Sequence, residues 1–183
     1  MYRPGHIGVS LLFASFLVVI LPVSLGLPMA AILLLTERIP DYDQDVDWLS
    51  HRGFSHTIWF ATLVSAGFAV PVSTVLFVYH EYFFGEDALS IDFITNLLPA
   101  PSTAALVVGL GTFLGFVSHL SADVITVGED EYGVQPLHPV SDWEVPIQLW
   151  RADSRFGNLY LFILGAFVTA AVVYVQWLRP VTF

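Results

Sequence analysis

Four stretches free of Asp, Glu, Lys and Arg dominate the chain: Ile7 to Thr36, Thr57 to Tyr79, about Leu97 to Ala122, and Leu159 to Leu178. Each of the last three reaches the roughly 20 residues that a helix needs to cross a hydrocarbon core of about 30 Å. Lipid offers no partner to backbone N–H and C=O groups, so apolar runs this long satisfy their own backbone as α-helices. At 56% hydrophobic residues and a mean hydropathy of +0.72, the 183 residues are too apolar for an ordinary soluble domain. The expectation is an all-α, polytopic transmembrane helical bundle in one domain, residues 1–183.

The first stretch is interrupted by Pro22, Gly26 and Pro28. It reads either as one kinked span or as two short helices folded into a hairpin. At about 1.5 Å per residue each half reaches only roughly 22 Å, short for a lipid-exposed crossing, which favours a buried or re-entrant hairpin. A cleaved signal peptide fits less well, because the apolar run is long and no small-x-small cleavage site follows before Thr36. With the hairpin the bundle has about five helices, the first two forming a short pair.

Hairpin topology carries a chemical consequence. It returns the chain so that His6 and the acidic segment after Thr36 share one side of the membrane. The helix from Thr57 leaves that side, and the helix ending near Val127 comes back to it with His119 and Asp123 in its final turns. Arg3, Arg38, Arg52, Arg151 and Arg155 fall on this side and Arg179 on the other. The positive-inside rule then expects a multi-pass protein of the inner, cytoplasmic membrane with this face in the cytoplasm.

Sixteen acidic residues face six arginines and no lysine, giving a formal net charge of −10. No basic patch exists for a phosphate backbone, which excludes nucleic acid as a partner. The acidity suits a high-salt interior, where screening tolerates such charge, and it also suits carboxylates that hold cations. Cysteine is absent, so any metal must sit on His, Asp or Glu.

Ionisable groups at the ends of membrane spans are costly and therefore candidates for function. His119 and Asp123, four apart, lie on one helical face and can reach a common ion. In His51-Arg52-Gly53-Phe54-Ser55-His56, His51 reads as a loop residue and His56 as first-turn, with Ser55 as a plausible N-cap. Arg52 serves either as a clamp for phosphate or carboxylate or as a headgroup anchor. Asp41 and Asp43, at alternate positions after the second half-helix, suit divalent cations. His6 sits between Gly5 and Gly8, just ahead of an apolar run.

His138, in a Pro-rich loop, is a weaker candidate. Ser55 and Ser118 adjoin histidines, but neighbours on a helix point apart, so a Ser/His nucleophile pair is disfavoured. No Gly-x-Ser-x-Gly elbow, P-loop, Rossmann glycine pattern or His-Glu-x-x-His helix is present.

Several His and Asp ligands from separate segments fit zinc, or manganese, with a metal-activated water attacking an ester or phosphoester. In that reading the metal ligands are His6, Asp41, Asp43, His51, His56, His119 and Asp123. Asp123 and Asp43 would handle protons, and Arg52 would steady an anionic substrate. A site at headgroup depth makes a lipid-linked substrate reasonable beside a soluble small molecule. The rival reading is a non-enzymatic membrane protein, an ion or proton pathway or a scaffold, with structural His/Asp pairs.

The order of motifs resembles the YdjM-like family of membrane-bound, metal-dependent hydrolases, also described as LexA-binding and inner-membrane-associated. The residues that carry the likeness are Gly5-His6, Ile39-Pro40-Asp41-Tyr42-Asp43, Ser50-His51-Arg52-Gly53-Phe54-Ser55-His56-Thr57 and Ser118-His119-Leu120-Ser121-Ala122-Asp123-Val124-Ile125-Thr126. It spans residues 5 to 140, and beyond them the last helix matches only as an apolar span. The resemblance implies the same seven ligand candidates, with Thr126 supporting them. It also implies hydrolytic activity. His138 and the acidic insert Gly128-Glu129-Asp130-Glu131 depart from the family's usual loop.

Overall fold

The computed structural model describes residues 1–46, 52–84, 101–127, 133–145, 147 and 149–178. Five α-helices account for most of them: α1 (Arg3–Ile20), α2 (Val23–Thr36), α3 (Ile58–Phe84), α4 (Pro101–Val124) and α5 (Arg155–Leu178). Two 3-10 helices, Ile39–Asp45 and Phe54–His56, connect α2 to α3. A two-residue parallel pairing joins β1 (Thr126–Val127) to β2 (Trp150–Arg151), with Thr126 opposite Trp150. The five segments Arg3–Ile20, Val23–Asp45, Ile58–Tyr79, Ser102–Val124 and Arg155–Gln176 are each long and apolar enough to cross a membrane.

The first apolar stretch is a hairpin. The chain turns at Leu21 and Pro22, both extended, and Pro22 precedes the first residue of α2. Short halves are tolerated because the first helix is enclosed by protein: 44% of the α1 span and 50% of the α4 span are buried, against 11% for α3 and 17% for α5. α2 is lengthened by the 3-10 helix behind it, so that the span runs on to Asp45. Leu17, Met29, Leu33 and Val107 form the apolar centre where α1, α2 and α4 meet.

Lipid tails are as apolar as leucine, so helices in a membrane associate through close backbone approach and hydrogen bonds more than through hydrophobic burial. Both devices run along the α1–α5 seam. Gly8 and Gly165 touch backbone to backbone, and a Cβ on Gly165 would stand 2.9 Å from the Cα of Gly8. One turn further, Ser15 Oγ and Thr169 Oγ1 share a hydrogen bond of 2.9 Å, and the Gln176 amide donates to the Val18 carbonyl at 3.2 Å. Ser10 and Ser118 join α1 to α4 in the same way at 2.9 Å.

Element ends differ from the sequence expectation for identifiable reasons. α5 begins at Arg155 rather than Leu159: the Ser154 hydroxyl accepts from the Gly157 N–H at 3.1 Å, and the buried Asn158 amide nitrogen donates to the carbonyls of Ala152 and Ser154, at 3.0 and 2.7 Å, within the first turn. Ser55 does not cap α3. Phe54–His56 is a separate 3-10 turn, and the cap is Thr57, whose hydroxyl accepts from the Phe60 N–H at 3.2 Å.

Candidate functional site

All five helices bring an end to one side of the bundle, and four chain segments deliver ionisable side chains there. His6 comes from the first turns of α1, Asp41 and Asp43 from the 3-10 helix after α2, His56 from the turn before α3, and His119 with Asp123 from the last turns of α4. His6, Asp43, His56, His119 and Asp123 are buried, while the Asp41 side chain retains 24% exposure and opens the group to its surroundings.

Donor atoms of His56, His119 and Asp123 face one point, and Asp41 approaches the same two imidazole nitrogens. His119 Nε2 lies 3.3 Å from His56 Nε2, 3.3 Å from Asp123 Oδ2 and 3.4 Å from Asp41 Oδ1. His56 Nε2 lies 3.4 Å from Asp123 Oδ2 and 3.9 Å from Asp41 Oδ1. Bonds of about 2.0–2.1 Å in a tetrahedral arrangement put neighbouring donors about 3.3–3.4 Å apart, so the spacing fits a zinc-sized ion. Asp123 Oδ2 is buried and faces both imidazole nitrogens, 3.4 Å from His56 Nε2 and 3.3 Å from His119 Nε2. A buried carboxylate flanked by two imidazoles is held either by their protons or by a cation that takes the protons' place.

His6 joins from the side. Its ring stacks on His119 with centroids 4.2 Å apart, and Nε2 stands 3.5 Å from Asp123 Oδ1. Two groups of three donors can each hold an ion, His56 with His119 and Asp123, and His6 with Asp41 and His119. His119 belongs to both.

Asp43 is placed differently from the other acids. Its Oδ2 lies 3.3 Å from His56 Nδ1, the ring nitrogen turned away from the four donors, and accepts a hydrogen bond from Ser55. A carboxylate on the far nitrogen fixes the tautomer and orientation of a ligating imidazole. Asp43, expected among the ligands, thus stands behind His56, on its Nδ1 side. Ser55 Oγ is 3.0 Å from His56 Nδ1 despite being its neighbour in sequence, because this segment is a 3-10 turn and not a regular α-helix.

Burial lowers the pKa of His56, but hydrogen bonds to the Asp123 and Asp43 carboxylates outweigh it and hold the imidazole above its usual value. A ligating imidazole must be neutral, so a divalent ion arriving here would displace a proton and bind more tightly as pH rises.

Arg52 adopts a positive φ of 61° and sends its guanidinium to Asp123 Oδ1 at 3.3 Å. That backbone conformation costs about 1–3 kcal/mol outside glycine, and it is what points the side chain inward. Thr126 Oγ1 donates to the Asp123 carbonyl at 3.2 Å, tying down the end of α4. His138 remains apart, half exposed and paired with Asp142 at 3.3 Å. His51 lies outside the described residues.

Glu37 escaped the sequence reading. It is buried, with Oε2 3.8 Å from His119 Nδ1. Standing next to Arg38 at the end of an apolar run, it looks like an ordinary boundary charge. Its spacing of four residues from Asp41 was the available signal.

A family model described as YdjM inner membrane protein matches residues 1–182. The chain belongs to the YdjM family. The match extends well past residue 140, where the motif resemblance stops, and so takes in α5, which supplies no donor among the described residues but seats α1. Neither the curated proteins nor the solved structures yield a match. The chain is thus a multi-pass member of an inner-membrane family with buried His and Asp groups able to hold a metal ion.

Proposed function

We propose that the cluster is a divalent-metal centre, with zinc as the first choice and manganese the second, in a membrane-bound hydrolase of phosphoester or ester bonds. The observation that carries this is the triad of His56 Nε2, His119 Nε2 and Asp123 Oδ2, 3.3–3.4 Å apart, with the part-exposed Asp41 Oδ1 3.4 Å from His119 Nε2. A bound zinc ion would act as a Lewis acid and yield a metal-activated water for attack on the scissile bond. His56, His119 and Asp123 would hold it, with His6 beside them, and Asp41 would stand on the accessible side.

The remaining groups supply order and charge. With Nε2 of His56 engaged, its Nδ1 proton rests against Asp43 Oδ2, which keeps the ring from turning. Arg52 shares its cation with Asp123 and can lean toward an anionic substrate group. Asp41 is oriented by Gln44, whose amide donates to Oδ1 at 3.0 Å, and its carboxylate is the one placed to exchange protons with the outside. Gathering at one end of the bundle favours a centre over an ion or proton path, which would string its groups through the membrane depth.

The test is cleavage by purified protein of a chromogenic phosphomonoester, a phosphodiester, a carboxylic ester and a dispersed phospholipid. At least one is expected to be hydrolysed, with activity removed by chelator, restored by zinc or manganese, and falling as pH drops. Metal-loaded protein inert toward all four would favour the non-enzymatic reading.

The arginine distribution supports a cytoplasmic cluster face. Because the chain has no cysteine, single substitutions report topology directly. Tyr42→Cys, exposed at the cluster end, is expected to be shielded from an impermeant maleimide in intact cells, and Tyr82→Cys, exposed at the opposite end, to be labelled. The reverse pattern would put the cluster on the outer face.

A further inference from the structure

A groove of about 380 Å³ runs between the start of α3 and the end of α4. Its walls include Ile58 and Ala61 of α3 and Leu120, Ser121 and Val124 of α4. Leu120 and Val124 directly follow His119 and Asp123, and Ile58 stands two residues after His56, so the groove lies one helical face round from the donor cluster. Its volume is that of a small-molecule site.

The lining chooses the occupant. Among the described lining residues Ser121 carries the one hydroxyl, and that hydroxyl is engaged with the Val117 carbonyl at 2.7 Å. A polar ligand would find no uncommitted side-chain partner among the described lining residues. The walls belong to two membrane spans, and the groove deepens along them, from Ile125 at the end of α4 to Val117 about two turns further in.

Exposed Tyr2, Tyr42, Trp59 and Trp143 belong to segments at the cluster end of the helices, and the Trp59 indole donates to the Leu137 carbonyl. Such rings collect at headgroup level. An occupant must therefore be polar where the cluster is and apolar where the groove continues into the bilayer.

We infer that the groove seats one hydrocarbon chain of a membrane lipid whose anionic headgroup reaches the His56, His119 and Asp123 cluster beside Arg52. Leaving bulk lipid for the groove gains the chain little, because both surroundings are equally apolar. The groove supplies position, fixing the headgroup bond in register with the cluster, and the headgroup supplies affinity. That the bound lipid is a substrate rests on the hydrolase reading, whereas its binding does not.

Two measurements on the full chain in lipid nanodiscs separate these. An anionic phospholipid with a mid-chain diazirine is expected to label peptides from Ile58 to Ala61 and from Val117 to Ile125. The labelling should fall severalfold in Ser121→Trp, which fills the groove, and in Ile147→Trp at its rim, with metal content and melting temperature unchanged. Labelling spread evenly over every lipid-facing helix, or insensitive to both variants, would overturn the proposal.

In parallel, the filled variants should lose at least about tenfold in cleavage of a long-chain phosphoester while keeping cleavage of a short-chain, water-soluble analogue with the same headgroup. Equal losses on both would sink the positioning role. Absence of any cleavage by the parent protein would instead end the hydrolase reading, leaving the labelling to decide the groove.

Discussion

His119→Ala is expected to leave purified protein without retained divalent cation and without chelator-sensitive activity, while the bundle still folds. The reason is its position. His119 is fully buried, lies within 3.4 Å of three other donor atoms through one nitrogen, and belongs to both groups of residues able to hold an ion. No neighbour can replace it, because His6 stacks on its face and His56 already points its own nitrogen at the same space.

Asp43→Asn provides the graded comparison. It removes charge from behind His56 without removing a donor, and such supporting changes typically cost 10–100-fold in metal affinity. Exposed Asp142→Ala should change nothing.

Metal analysis after dialysis and melting with and without zinc read all three. At a hundredfold excess over Kd an ion bound only by the folded protein stabilises it by about 2.7 kcal/mol. That increment should be full in the parent and Asp142→Ala, reduced at fixed zinc in Asp43→Asn, and absent in His119→Ala. A folded His119→Ala protein that holds as much metal as the parent would show that the ion sits elsewhere.

The spans were legible because lipid leaves an apolar run no choice but a helix, and the hairpin was legible because Pro22 sits between halves too short to be exposed. The clustering of His6, Asp41, His56, His119 and Asp123 then follows from chain direction alone: each successive helix reverses, and all these residues lie at ends that meet. Orientation within the cluster was not legible. Asp41 and Asp43 are equivalent as letters, yet a 3-10 turn sends one toward His119 Nε2 and the other to the back of His56. The same geometry moved the cap of α3 from Ser55 to Thr57, since Ser55 is consumed by Asp43. Glu37 stayed hidden because burial of a boundary acid depends on which helix packs over it, and sequence periodicity does not reveal that.

Packing between α1 and α5 was equally invisible, and it yields the second large effect. Gly165→Leu is expected to destabilise the bundle severely, whereas Gly67→Leu should be tolerated. A Cβ at residue 165 would strike the backbone of Gly8, with its carbonyl oxygen even closer than the Cα at 2.9 Å, while a Cβ at residue 67 meets nothing within 4 Å.

Overpacking usually costs about 1–3 kcal/mol, and the upper part of that range or more applies where the obstructing atoms are backbone and cannot rotate away. In lipid no hydrophobic term compensates for pushing the helices apart, because the exposed faces are already solvated by hydrocarbon. The separation would also draw Ser15 from Thr169 and Gln176 from Val18.

His6 lies only two residues from Gly8, so α1 displaced from α5 would carry that imidazole off the face of His119. Gly165→Leu should therefore lower melting temperature in detergent by several degrees more than Gly67→Leu and weaken metal retention as well, although residue 165 is remote in sequence from every donor. Equal melting of the two variants would mean that the α1–α5 contact is dispensable, and that α2 and α4 alone hold His6 in place.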